Sequence, residues 1–196
     1  AITLGNHADD ETDFGTLNLN GTTVTVTEDS ATELTGVTAT GSLTLTSAGA
    51  ITDSADTTLS VNGLATFTNA GAGAITLGNH AGDTTNFGSL DFAGAAVSIS
   101  EDSPMSIAAS EAAGSLTLVS SADISQTGTI LAQDGATPPV GVATSITAGT
   151  DIVLDNADNV FGELTLNAGN EIAIRETGSM SGTAIAQSLQ ARATTG

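Results

Sequence analysis

The sequence predicts an all-β fold, a right-handed parallel β-helix or β-solenoid. Three observations predict it: a segment that returns at a fixed offset, short apolar alternations within it, and a composition unable to fill an ordinary globular core. The stretch AITLGNHADDETDFGTLNLNG, which starts at Ala1, comes back as AITLGNHAGDTTNFGSLDFAG, which starts at Ala74. Laying residues 1–50 on 74–123 without gaps gives 25 identities. A third, weaker copy begins near Asp151, with a short deletion before Phe161. Self-similarity at a fixed period marks stacked repeats. The expected organisation is a single rod over 1–196, with repeats at 1–73 and 74–150 and a partial one at 151–196.

Composition narrows the core. There are 23 Gly, three Pro, five Phe, and no Cys, Trp or Tyr. Aromatic rings supply much of the buried area of a globular core, so this chain must bury many small aliphatic side chains in a thin, regular one. Two Arg against 22 Asp and Glu give a formal net charge of −20. Phosphate backbones and anionic lipid surfaces repel such a chain, so neither nucleic-acid binding nor membrane insertion is expected. No apolar run approaches the roughly 20 residues of a membrane span. The chain opens on Ala1 without a signal-peptide pattern and is expected to be a mature product or a piece of something longer.

Each element follows from alternation. Leu17-x-Leu19, Val24-x-Val26, Leu43-x-Leu45, Leu59-x-Val61, Ile75-x-Leu77, Leu90-x-Phe92, Val97-x-Ile99, Leu116-x-Leu118, Leu164-x-Leu166 and Ile172-x-Ile174 all show period two between Gly, Asn and Asp. That is the strand signature. The best helical candidate, GTAIAQSLQARA near the C-terminus, aligns its Leu189 with Leu43 and Leu116 and is therefore also read as strand. Anchors recur at a near-constant step: Leu43, Phe67, Leu90, Leu116, Val142, Leu164, Leu189. The expectation is about eight coils of about 24 residues, three coils per repeat, in a rod about 40 Å long at about 4.8 Å per coil. Inward ladders are expected to join Val24, Val97 and Ile172, and likewise Leu43, Leu116 and Leu189. Corners are expected at Gly5-Asn6, Asn20-Gly21, Gly49, Gly78-Asn79 and 167–169, residue types that tolerate tight turns. Pro104, Pro138 and Pro139 lie outside the strand cores, and GTILAQDGATPPVGVATS reads as an enlarged loop.

The cadence GSLTLTSAGAITDSADTTLSVNGLATFTNAGAGAITLGN resembles the repeats of filamentous-haemagglutinin-like exoproteins, over essentially all of the chain. The repeated phrases are GxLTLxSxGxI and AITLGNxxxDF. The resemblance implies a right-handed parallel β-helix on a bacterial cell surface or in the extracellular space. It also implies a structural or adhesive role, as a segment of a surface adhesin or a filament-forming rod. Its N-terminal secretion domain is not recognisable in this chain.

No catalytic, cofactor-binding or metal-binding residue is assigned. Glu28-Asp29 and its copy Glu101-Asp102 are the best carboxylate pairs for general acid and base. Adjacent strand residues point to opposite faces, however, and their repetition suggests a structural turn. A carbohydrate-active β-helix enzyme is the alternative; it would need clustered carboxylates and aromatic platforms that the composition lacks. His7 and His80 hold equivalent loop positions, expected to stack some three turns apart, too far to share a metal. Calcium is the one cofactor considered, at the acidic loops Asp9-Asp10-Glu11-x-Asp13 and Asp155-x-x-Asp158; solvated turns are the preferred reading. An ice-binding face needs a regular outward Thr array. The expected ladders set Thr25 against Ser98 and Ala173, and Thr44 against Thr117 and Gln190, which is irregular. The expected partners are adjoining repeats of a longer chain, or copies of itself stacked end to end, because joining Gly196 to Ala1 rewrites the phrase GAIT. Host or surface glycans and proteins are the external partners considered.

Overall fold

The computed structural model describes residues 1–7, 9–137 and 139–194, and within them strands form one continuous 17-stranded sheet. The strands are β1 (Ile2–Leu4), β2 (Thr16–Glu28), β3 (Thr32–Ser47), β4 (Ile51–Asp53), β5 (Thr58–Asn69) and β6 (Ile75–Leu77). Next come β7 (Thr84–Glu101), β8 (Met105–Ile107), β9 (Ser110–Ser120), β10 (Ile124–Gln126), β11 (Ile130–Ala132) and β12 (Thr144–Ala148). Last are β13 (Ile152–Leu154), β14 (Glu163–Ala168), β15 (Glu171–Thr177), β16 (Ser181–Ile185) and β17 (Ser188–Thr194). No described residue is helical, and the segment read as the best helical candidate forms β16 and β17. Every pairing between these strands is parallel.

The architecture is a parallel β-solenoid, consistent with the right-handed winding that parallel crossovers take. One ladder runs from Ile2 through Val24, Leu43, Ala65, Leu90 and Ile107 to Gln126. In continuing register, Ile124 stacks on Ile152, Ile172 and Leu189. The rungs make about ten turns rather than eight, because most coils are shorter than the 24 residues expected. The shortest steps run from Leu90 to Ile107 and from Ile172 to Leu189, and the longest from Ile124 to Ile152. The longest step carries the loop over 133–143, where the enlarged coil was expected; Pro138 lies outside the described residues.

The repeat and the turn are different periods. Three steps carry Ile2 to Ala65 and the fourth reaches Leu90, so Ile75 falls between rungs, on another side of the coil. Ile75 stacks instead on Ile51 and beneath Val97, which in turn meets Leu116. One repeat therefore spans three turns and part of a fourth, not three turns. The expected ladders Val24–Val97–Ile172 and Leu43–Leu116–Leu189 do not form. Val24 stacks with Leu43 and Ile172 with Leu189 on one side of the coil, whereas Val97 stacks with Leu116 on another. The physical reason is that all sides carry the same aliphatic alternation, so any side fills the core equally well.

Inward aliphatic residues from Leu17 to Ile174 make one narrow core. Its aromatic centre is Phe67, Phe87 and Phe92, with the Phe67 and Phe87 rings 5.4 Å apart and tilted by 57°. Coils pass each other closely at one bend. A Cβ on Gly63 would come within 2.6 Å of the Gly41 carbonyl oxygen, and one on Gly88 within 2.1 Å of the Asn62 oxygen. Gly5 and Gly78, equivalent in the two copies, turn with positive φ (63° and 67°).

Candidate functional site

Three corner carboxylates serve the backbone of the coil beside them. Glu28 and Glu101 close β2 and β7, Glu176 lies at the end of β15, and all three point inward, almost completely buried. Each accepts the backbone N–H of a phenylalanine on the preceding coil: Phe14 at 2.8 Å, Phe87 at 3.3 Å and Phe161 at 3.2 Å. Two of their neighbours point the other way, where Asp29 accepts Thr12 N–H and Asp102 accepts Thr85 N–H, both at 2.9 Å. The pairs Glu28-Asp29 and Glu101-Asp102 thus divide between the inside and the outside of the coil, each half holding backbone of the coil before it. Burial pushes the Glu101 carboxyl up to about 7, against the hydrogen bonds from Phe87 and Ser103.

The acidic loop Asp9–Asp13 lies in an open depression with Asp29 and Ser30. Its oxygens already serve the turn: Asp10 accepts His7 N–H at 3.0 Å, and Asp13 accepts the Ser30 hydroxyl at 2.8 Å. In the other acidic loop, Asn156 accepts Asp158 N–H at 3.0 Å. His7 and His80 do not stack: His7 follows β1 and His80 follows β6, strands on different sides of the coil.

One convergence was not foreseen. Asp53 ends β4, and the turn after β6 brings His80 and Asp83 over it from the next coil. One ligand atom from each of Asp53, His80 and Asp83 lies within 4.8 Å of the others. Asp83 Oδ1 accepts Thr57 N–H at 3.0 Å, and its Oδ2 accepts His80 N–H at 2.8 Å while lying 3.3 Å from His80 Nδ1. Asp53 Oδ2 accepts Gly78 N–H at 3.1 Å. Asp53 Oδ1 is buried with no partner, in a residue only 4% exposed. Burial raises Asp53 to about 6, opposed by the Gly78 N–H and reinforced by the Asp83 charge. Asp83 goes the other way: its partial burial is outweighed by N–H donors from Thr57 and His80, which hold it below the usual range.

The same corner one repeat later is built from amides. Gln126 is the counterpart of Asp53 in the second copy, and Asn159 on the next coil meets it in a reciprocal pair, Nε2 to Oδ1 at 2.9 Å and Nδ2 to Oε1 at 2.8 Å. Asp53 reads in sequence as turn punctuation; the exchange of Asp53 for Gln126 across the repeat was the available signal.

Outward residues form a lattice where irregularity was expected. Thr25 stacks on Thr44 and Thr66, not Ser98, and Thr27 on Thr46 and Thr68, so Thr-x-Thr faces outward on three successive coils. On another side, Thr52, Thr76, Ser98, Thr117, Ser145, Thr165 and Thr183 form an unbroken hydroxyl column.

The model of a repeat family described as repeats of unknown function (DUF5649) matches residues 21–91 and 94–168, so its two matches begin at Gly21 and at its copy Gly94. No curated protein and no solved structure matches the chain.

Proposed function

We propose that this chain, which belongs to the DUF5649 family of repeats, is a structural and adhesive rod of the extracellular space. In this reading it is a segment of a filamentous-haemagglutinin-like surface protein that spaces or displays a binding module. The supporting observation is how its polar groups are used. Inward carboxylates such as Glu28, Glu101 and Glu176 bond backbone of the adjacent coil, and acidic residues are spread along the sequence of a −20 chain, as suits a rod that must stay dispersed. The parent protein's adjoining coils, or further copies of the chain, are the partners this reading names, and host or surface glycans and proteins are its external targets. It assigns the chain no catalysis. Antibodies raised against the chain should label intact, unpermeabilised cells that make it, and deleting the segment should reduce their attachment to surfaces. Labelling only after permeabilisation contradicts the reading.

A second reading is favoured by the outward Thr lattice. Rows of Thr hydroxyl and methyl groups repeat about every 4.8 Å across coils and about 7 Å along a strand. Thr25, Thr27, Thr44, Thr46, Thr66 and Thr68 make this patch neutral in a strongly acidic chain. Such a surface can order water into an ice-like layer. The purified chain should then slow ice recrystallisation, and Thr44→Lys with Thr66→Lys should abolish the effect. Ice growth unchanged by the wild-type chain removes this reading.

A further inference from the structure

We propose that Asp53, His80 and Asp83 form a site for one divalent transition-metal ion, matched best by Zn2+, that staples two neighbouring coils. The ligand set comes from two coils: Asp53 closes β4, and His80 and Asp83 sit in the turn that follows β6 directly above.

Two features separate this corner from an ordinary acidic turn. First, Asp53 Oδ1 is buried without a hydrogen-bond partner, and its carboxylate belongs to the three-residue cluster. Buried polar atoms in folded proteins nearly always have one. Two carboxylates facing each other out of water repel, and a cation between them satisfies both. Second, the equivalent corner shows what the fold installs when no cation is needed. Gln126 and Asn159 supply a donor for each acceptor and close on each other. Counting forward from Asp151, the counterpart of Ala74, Ala157 falls at the position of His80. Both carboxylates and the imidazole therefore disappear together.

The donor types select the metal class. Calcium takes six to eight oxygen ligands, whereas an imidazole nitrogen beside carboxylate oxygens suits zinc and its first-row neighbours. The His80 side chain is 41% exposed, so the site opens to water, which can fill the remaining coordination position. Asp83 is already oriented by the N–H groups of Thr57 and His80, so one carboxylate is pre-positioned. The site requires only the fold and is independent of what the rod displays.

The test is a Zn2+ titration of the full chain by calorimetry, after treatment with chelator. Wild type and a His7→Ala control should each take one tight Zn2+ and melt at higher temperature when loaded. His80→Ala should weaken binding tenfold or more. The double variant D53Q/D83N, which imitates the Gln126–Asn159 pair, should lose the tight site yet melt near wild type in chelator. If that variant fails to fold, His80→Ala, altered at a partly exposed ring, decides alone. Wild type binding Zn2+ no more tightly than D53Q/D83N, or His80→Ala binding as tightly as wild type, overturns the proposal. So does a loss of binding in His7→Ala equal to that in His80→Ala.

Discussion

Glu101 is charged in water at neutral pH but sits 3% exposed beneath a corner, with one oxygen unpartnered. Burial raises its pKa from 4.5 to about 7, with a small further push from Asp102. The folded chain therefore holds a proton there that the unfolded chain has already lost. The stabilisation from that proton is fully present below pH 4.5 and is lost as pH rises toward 7, a change of roughly 3 kcal/mol at most. Glu101→Gln should raise the melting temperature by several degrees at pH 8 and leave it nearly unchanged at pH 4.5. Scanning calorimetry at the two pH values checks this, and an equal shift at both would contradict it. Phe87, 2% exposed and tilted against Phe67, is one of few aromatics in the core. Phe87→Ala should cost about 3 to 5 kcal/mol, measured by denaturant unfolding.

Among elements, the bends carry the tightest constraint. Gly88 passes so close to the coil below that any side chain at this position meets the Asn62 carbonyl oxygen. Gly88→Ala must push β7 off β5 and should lower the melting temperature by several degrees. Gly15, where a Cβ would meet nothing within 4 Å, is the contrasting position, although its φ of 68° favours glycine. The strands themselves were legible, because Leu43-x-Leu45 or Val97-x-Ile99 between glycines permits little else. The register was not. Val24 and Val97 share a sequence context, yet their partners are Leu43 and Leu116 on different sides. An aliphatic residue fits a rung on any side, so similarity in sequence does not identify the neighbour in space. The candidate metal corner was hidden for the same reason. Asp53 and Asp83 are separated in sequence by the whole of β5 and β6, and only the true register sets one coil above the other.

At the scale of the molecule, a repeat that is not a whole number of turns sets the second copy on a different side from the first. The equivalent corner carboxylates Glu28 and Glu101 therefore close strands on different sides of the coil. About ten turns at about 4.8 Å each make a stack about 45 Å long. The central claim is that coil-to-coil register, not repeat equivalence, decides which residues touch. The chain has no cysteine of its own, so paired substitutions report it directly. With Thr25→Cys and Thr44→Cys on stacked strands, mild oxidation should close a disulfide, because adjacent strands bring Cα atoms within bonding reach. With Thr25→Cys and Ser98→Cys, which occupy the same place in successive repeats, no intramolecular disulfide should form. A disulfide in the second pair and none in the first would contradict the account.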